Sequence, residues 1–257
     1  GTMEDFEALL AECEAAGIKV IMDLVVNHTG SEHPWFKEAV SYLQSLPAGA
    51  EPKAEDCKYL DYYFFKKEKD SKYCVVEGTD WYYEGMFDFT MPDINLGSEA
   101  TREEIKNIMQ FWIDKGVDGF RMDVINYISK REGLPMGDET IGAMMGYTGI
   151  ENYFYGPHLH EYLHQVKEEA FAPYQAFSVG ETPGIGMEMG KKLTAAGRRE
   201  LDMIFNFDHL ETPGHVRWDD YEYDLNFYRD YIIDWMENYG NNCWMSLFYD
   251  NHDNPRM

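Results

Sequence analysis

The stretch Gly116-Val117-Asp118-Gly119-Phe120-Arg121-Met122-Asp123-Val124-Ile125 decides the fold. It is apolar almost throughout, broken only by Asp118, Arg121 and Asp123. A strand buried on both faces, as in a parallel sheet, has this composition, whereas a strand with one wet face alternates. Ahead of it, Ile105, Ile108, Met109 and Trp112 recur at helical spacing. Thr101 with Glu104 reads as a helix start, and Gly116 supplies the stop. The unit is therefore helix, glycine, strand, with a carboxylate late in the strand.

The same unit recurs on both sides. Upstream, Thr2 with Asp5 opens a helix carrying Phe6, Leu9, Leu10 and Cys13. Gly17 ends it, and Lys19 to Val26 reads as a buried strand. Downstream, Glu161 to Ala170 is helical and Gln175 to Glu181 is a strand. Leu201 to Asn206 is a fourth strand, Leu225 to Tyr239 a helix, and Trp244 to Phe248 a fifth strand. Strands alternating with helices predict an α/β fold with a parallel sheet. Residues 30–95 break the rhythm with Pro34, Pro47, Pro52 and many aromatics (Tyr59, Tyr62, Tyr63, Phe64, Phe65, Trp81, Tyr82, Tyr83). A loop that long is improbable inside a compact domain, so the segment reads as a small inserted subdomain with most of its aromatics in its own core.

Composition bounds the function. The 257 residues carry 22 Lys and Arg against 47 Asp and Glu, a formal charge of −25. Nucleic acid and anionic membrane need basic patches and are disfavoured as partners. With 44% hydrophobic and 16% aromatic residues the chain is not disordered. No apolar run reaches a membrane span and no secretory signal opens the sequence, so a cytoplasmic location is expected. Cys13 and Cys243 read as small buried hydrophobes, Cys57 and Cys74 leave a pairing open, and free thiols are the default.

Chemistry collects where the strands end. Asn27 and His28 follow the first strand, Asp123 ends the second and Glu181 the third. Asn206 and Asp208 follow the fourth, and His252 and Asp253 the fifth. Strand C-termini open on one face of a barrel or a doubly wound sheet, and active sites lie there. A lone Asp at such a place is more often a helix cap, so the signal is the coincidence across strands. The sequence has no metal-ligand Cys/His spacing, no phosphate-cradling glycine loop and no GxSxG elbow. Paired carboxylates point instead to glycoside hydrolysis, with one as nucleophile and the other as acid/base.

Asp23-Leu24-Val25-Val26-Asn27-His28-Thr29, Gly119-Phe120-Arg121-Met122-Asp123-Val124-Ile125-Asn126, Val179-Gly180-Glu181-Thr182 and Asn251-His252-Asp253 occur in that order. They resemble the four signature blocks of the α-amylase family, the family-13 glycoside hydrolases. Met91-Pro92-Asp93-Ile94-Asn95 resembles a fifth. Residues 124–130, 156–163 and 181–184 resemble the oligo-1,6-glucosidase and dextran glucosidase branch. The resemblance implies a (β/α)₈ barrel over residues 1–29 and 96–257, incomplete at both ends because five strands are visible rather than eight, with the insert at 30–95. This reads as an internal fragment with little activity alone.

The resemblance implies Asp123 as nucleophile, Glu181 as acid/base and Asp253 as the third carboxylate. It implies His28, Arg121, His252 and Arg256 as substrate-binding residues. The implied activity is a retaining α-glucosidase cleaving α-1,6 bonds at the non-reducing end of isomalto-oligosaccharides, Val124 being the branch's choice for that linkage. The alternatives are an α-1,4-glucosidase or α-amylase type, a trehalose-6-phosphate hydrolase, and a non-catalytic sugar-binding relative. The expected partner is the oligosaccharide alone, with the full-length protein a monomer. No cofactor or metal is expected, Tyr127 standing where calcium-dependent relatives have His, though a calcium site in an N-terminal part stays open. Arg121 should keep Asp123 ionised, and the charges of Asp123 and Asp253 should raise Glu181. Asp23 is expected to pair with an Arg of a neighbouring strand. A retaining outcome places the two carboxyl groups about 5–5.5 Å apart.

Overall fold

A computed structural model describes residues 1–257 except 48, 68, 70–72, 147, 208, 211–223, 241, 245 and 254–257. In chain order the main elements are α1 (Met3–Ala15), β1 (Ile21–Leu24), α2 (Pro34–Ser45), β2 (Phe65–Lys66), β3 (Tyr73–Val75), β4 (Tyr82–Glu84), α3 (Glu99–Asp114) and β5 (Gly119–Met122). There follow α4 (Glu139–Met145), α5 (Leu159–Val166), β6 (Phe177–Glu181), α6 (Met187–Thr194), β7 (Met203–Phe205) and α7 (Leu225–Asn238). The chain folds as two compact units, one of residues 1–24, 110–126 and 160–257, the other of residues 25–109 and 127–159.

The first unit is the parallel α/β sheet that the helix–glycine–strand rhythm predicts. Its strand order is β1-β5-β6-β7, all parallel. The capping box at α1 is formed: Thr2 N–H donates to Asp5 Oδ2 at 2.8 Å and Asp5 N–H to Thr2 Oγ1 at 3.2 Å. Gly17 and Gly116 leave their helices at φ 71° and 104°, the left-handed region where a Cβ would be strained. Phe120, Met122, Val179 and Ile204 from the strands are buried, as are Ile125, Phe171, Leu193 and Trp235 around them.

Three sequence expectations need correction here. β1 is not buried on both faces: Ile21 is 41% exposed, because β1 sits at the edge of the described sheet with β5 as its strand partner. Among the described residues of 244–248 no strand forms, and a single parallel bridge joins Ser246 to Phe205. α3 begins at Glu99, so Thr101 lies inside its first turn rather than at its cap.

The second unit contains the whole of 30–95 and also takes in 25–29, 96–109 and 127–159. Its antiparallel sheet, β2-β4-β3, packs an aromatic cluster. Phe36 meets Tyr63 at 5.1 Å and Tyr83 at 4.8 Å between ring centroids, and Trp35 meets Tyr62 edge-on at 5.1 Å. Tyr62, Tyr63, Tyr73 and Tyr83 are buried, so these aromatics are core. None of the four cysteines is in a disulfide, with Cys57 buried and Cys13, Cys74 and Cys243 half-buried. Among the described residues no helix is long and apolar enough to cross a membrane.

Candidate active site

Strand register builds the site. In the β1–β5 pair Asp23 stands opposite Arg121, and in the β5–β6 pair Arg121 stands opposite Val179 and Met122 opposite Gly180. One residue further, Asp123 and Glu181 leave adjacent strands together. Side chains two apart on a strand share a face, so Asp23, Arg121, Asp123 and Glu181 all project to the same side.

The contacts follow. Arg121 Nη1 donates to Asp123 Oδ1 at 2.6 Å and to Asp23 Oδ1 at 2.8 Å. Arg121 Nη2 meets Glu181 Oε2 at 2.7 Å. One guanidinium thus serves three carboxylates, and its planar fork lets each terminal nitrogen face a separate acceptor. Val124 N–H donates to Glu181 Oε2 at 3.1 Å. The turn after Glu181 is held by Thr182, whose N–H and Oγ1 both donate to the Phe205 carbonyl, at 3.2 and 2.8 Å.

One positive charge cannot neutralise three negatives, and burial decides which carboxyl keeps a proton. The side chain of Asp23 is 58% exposed, that of Asp123 22% and that of Glu181 8%. Glu181 is pushed up to about 7. Burial is the main cause, opposed by the Val124 N–H and the Arg121 charge, and Asp123 adds to the rise through a hydrogen bond and its charge. The expected electrostatic origin from Asp123 is therefore present but secondary to desolvation.

The remaining sequence-predicted residues have partners of their own. His252 and Asp253 pair with each other, Nε2 to Oδ2 at 3.4 Å, and both are exposed. Asp253 N–H also donates to Asn251 Oδ1 at 3.0 Å. His28 belongs to the second unit, where it bridges to Asp93 in antiparallel fashion and meets Phe87 edge-on at 5.6 Å. Arg256 and Asp208 lie outside the described residues. Asn206 is buried and donates to the Tyr231 hydroxyl. Among the described residues no group of three His, Cys, Asp or Glu side chains is placed to hold a metal ion.

Two features escape sequence reasoning. In the second unit Lys130 is buried to 2% beside a fully buried Asp93. Its ammonium lies 3.0 Å from Asp93 Oδ2, 2.7 Å from Asn27 Oδ1 and 3.2 Å from the Tyr127 carbonyl. In the first unit His209 is buried among aromatic rings, 5.2 Å from Tyr231 and 4.8 Å from Phe248 between centroids, and burial pushes it down to about 4.

A parallel sheet whose adjacent strands deliver two carboxylates onto one guanidinium defines a class, and the comparisons place it. The chain belongs to the α-amylase family: residues 1–257 match the alpha amylase catalytic domain. Its relatives include an oligo-1,6-glucosidase of Bacillus cereus, 38% identical over 273 residues, and a trehalose-6-phosphate hydrolase of Bacillus subtilis (strain 168), 35% identical over 274. Each alignment covers all of this chain and 46% of the relative, so the chain spans about half the length of the curated relatives it matches. Among solved structures, the Bacillus licheniformis trehalose-6-phosphate hydrolase superposes with a TM-score of 0.85 at 37% identity, covering 100% of this chain and 46% of the other. The isomaltulose synthase of Klebsiella sp. LX3 gives 0.86 at 30% identity, over 100% and 46%.

Proposed function

We propose that the chain carries the nucleophile and acid/base of a retaining α-glucosidase acting on α-1,6 bonds at the non-reducing end of isomalto-oligosaccharides. The observation that carries this is the pairing of Asp123 and Glu181 on one guanidinium, with Glu181 pushed up to about 7. A group titrating there is protonated enough to act as an acid and weak enough afterwards to act as a base.

Asp123, beside the Arg121 cation, is the carboxylate that attacks the anomeric carbon. Glu181 gives its proton to the leaving glycosidic oxygen, which departs as an alcohol. The glycosyl ester on Asp123 is then hydrolysed by a water that Glu181 deprotonates, restoring both residues and returning glucose with its configuration retained. Arg121 stays bound to Asp23 and so holds its place while Asp123 is esterified. Asp253, His28, His252 and Arg256 complete the sugar contacts in this proposal, which needs no metal or redox cofactor. We read the full protein as a cytoplasmic monomer whose partner is its oligosaccharide.

Trehalose 6-phosphate is the second substrate reading, favoured by the similarity to hydrolases of that name. The full protein should be assayed on isomaltose, maltose and trehalose 6-phosphate. Cleavage of isomaltose above the other two is expected. Cleavage of maltose but not isomaltose overturns the α-1,6 assignment, and full activity after Asp123→Asn overturns the nucleophile.

A further inference from the structure

The turn that follows Asp123 is held in a conformation its residue disfavours. Val124 has φ 35°, and a β-branched side chain at positive φ is a genuine outlier. Such a conformation persists only where its surroundings over-determine it, and here they do. Asp123 N–H donates to the Leu24 carbonyl at 3.1 Å, fixing the turn from behind. Ile125 is fully buried against Gly180, where an added Cβ would come within 2.8 Å of its methyl group. Asn126 Nδ2 donates to the Pro183 carbonyl at 2.9 Å, tying the turn after Asp123 to the turn after Glu181.

The direction of the Val124 N–H depends on the plane of the 123–124 peptide. Turning that plane over would bring Val124 back to negative φ, and would aim the Asp123 carbonyl oxygen, not an N–H, toward Glu181. The strained form is therefore the one that supplies a donor. That donor reaches Glu181 Oε2 at 3.1 Å, the same oxygen that Arg121 Nη2 meets at 2.7 Å.

We infer that Val124 is a positioning residue: its left-handed backbone presents the N–H to Oε2 of Glu181, which keeps Oε2 as the accepting oxygen and leaves Oε1 to carry the proton. This rests on the reading of Glu181 as acid/base and deepens it, by naming the atom that gives up the proton. Oε2 accepts the Val124 N–H and faces the Arg121 cation, so a proton on Oε2 would meet a positive charge and a donor, whereas Oε1 meets neither of them. Oε1 is then the oxygen offered to the leaving group when a glycoside lies between the two carboxyls. Among the described residues the charged groups paired around this carboxyl are Arg121, Asp123 and, through Arg121, Asp23.

The test is a titration of this chain labelled with [15N]valine and with 13C at the glutamate carboxyls. The Val124 amide proton is expected to move downfield as Glu181 ionises, with the same midpoint as the Glu181 carboxyl, and to stop moving in Glu181→Gln. Replacing residue 124 by the α-hydroxy analogue of valine exchanges the N–H for an ester oxygen and keeps the side chain. Loss of a hydrogen bond to the charged form should raise the Glu181 midpoint by about one pH unit or more. Val124→Gly keeps the N–H and accepts positive φ, so its midpoint should stay in place. A purely structural role would lower stability in the ester chain without moving the midpoint. An amide that stays flat through the Glu181 titration, or an ester chain with an unmoved midpoint, overturns the inference. Where the ester chain does not fold, the amide titration of the unsubstituted chain decides. Failure of the full protein to cleave any of the three glycosides would sink the enzymatic reading while leaving this titration as expected.

Discussion

Glu181→Gln should change how the stability of the chain depends on pH, by an amount the structure sets. The unfolded glutamate titrates near 4.5 and the folded one at about 7. Between those values the folded state holds a proton that the unfolded state has released. A folded pKa raised in this way gives stability that is complete below pH 4.5 and is lost as pH climbs through 7. Roughly 2.5 pH units at about 1.4 kcal/mol each make the loss about 3 kcal/mol, with no further change above pH 8. Glutamine cannot ionise, is close in shape, and can still present an oxygen to Arg121 and the Val124 N–H. Urea unfolding of both chains at half-unit steps from pH 4.5 to 8.5 gives two stability curves. Every other titrating group is common to both, so their difference isolates Glu181. The glutamine chain should gain about 3 kcal/mol on the parent across this range, with the steepest change between pH 5 and 7. A flat difference, or one that favours the parent as pH rises, would refute the claim that burial holds a proton on this carboxyl.

Three further outcomes are expected. His209 is pushed down to about 4 from an unfolded value near 6.5, so the unfolded chain takes up the proton first and stability is lost as pH falls from 6.5 to 4. His209→Phe should flatten that acid limb by up to about 3 kcal/mol, seen in thermal melts at pH 4 and 7. Lys130→Met should cost about 3–5 kcal/mol by leaving the Asp93 carboxylate buried without its cation, and Asp93→Asn added to it should recover part of the loss. Gly180→Ala would bring a methyl within 2.8 Å of Ile125 and Leu201 side-chain atoms, so about 1–3 kcal/mol of overpacking should appear in denaturant midpoints.

Legibility in the sequence followed the range of the interactions. The Thr2–Asp5 box, the glycine stops and the apolar run around Phe120 are local, and each formed as read. The convergence of Arg121, Asp123 and Glu181 was readable because a strand repeats every two residues, so equal offsets near strand ends land on one face. Neighbour relations were not readable. The run from Lys19 to Val26 has the composition of a central strand, but in the described sheet β1 has only β5 beside it, since nothing within a run states how many strands flank it. Within the 124–130 block nothing local marks Lys130 for burial, and only the approach of Asp93 and Asn27 makes its burial tolerable. Val124 shows the opposite failure: a β-branched residue argues against positive φ, and only the contacts of Ile125 and Asn126 override that preference. Similarly, Trp244 to Phe248 has the residues of a strand, but its described residues pair only through the bridge at Ser246.

The burial of Lys130 also constrains the order in which the chain can become itself during synthesis. Asp93 leaves the ribosome 37 residues before Lys130, which at typical elongation rates is about two to seven seconds. Throughout that interval the carboxylate has no ammonium to meet, and enclosing it would be costly. The nascent second unit must therefore keep Asn27 and Asp93 open to water. Its closure waits on residues 110–126, which are spent in the other unit before the chain returns with the missing charge. Lys130 thus arrives after the carboxylate it covers, and a nascent chain stalled between Asp93 and Lys130 would hold the Phe36, Tyr63 and Tyr83 rings without the charge their unit encloses.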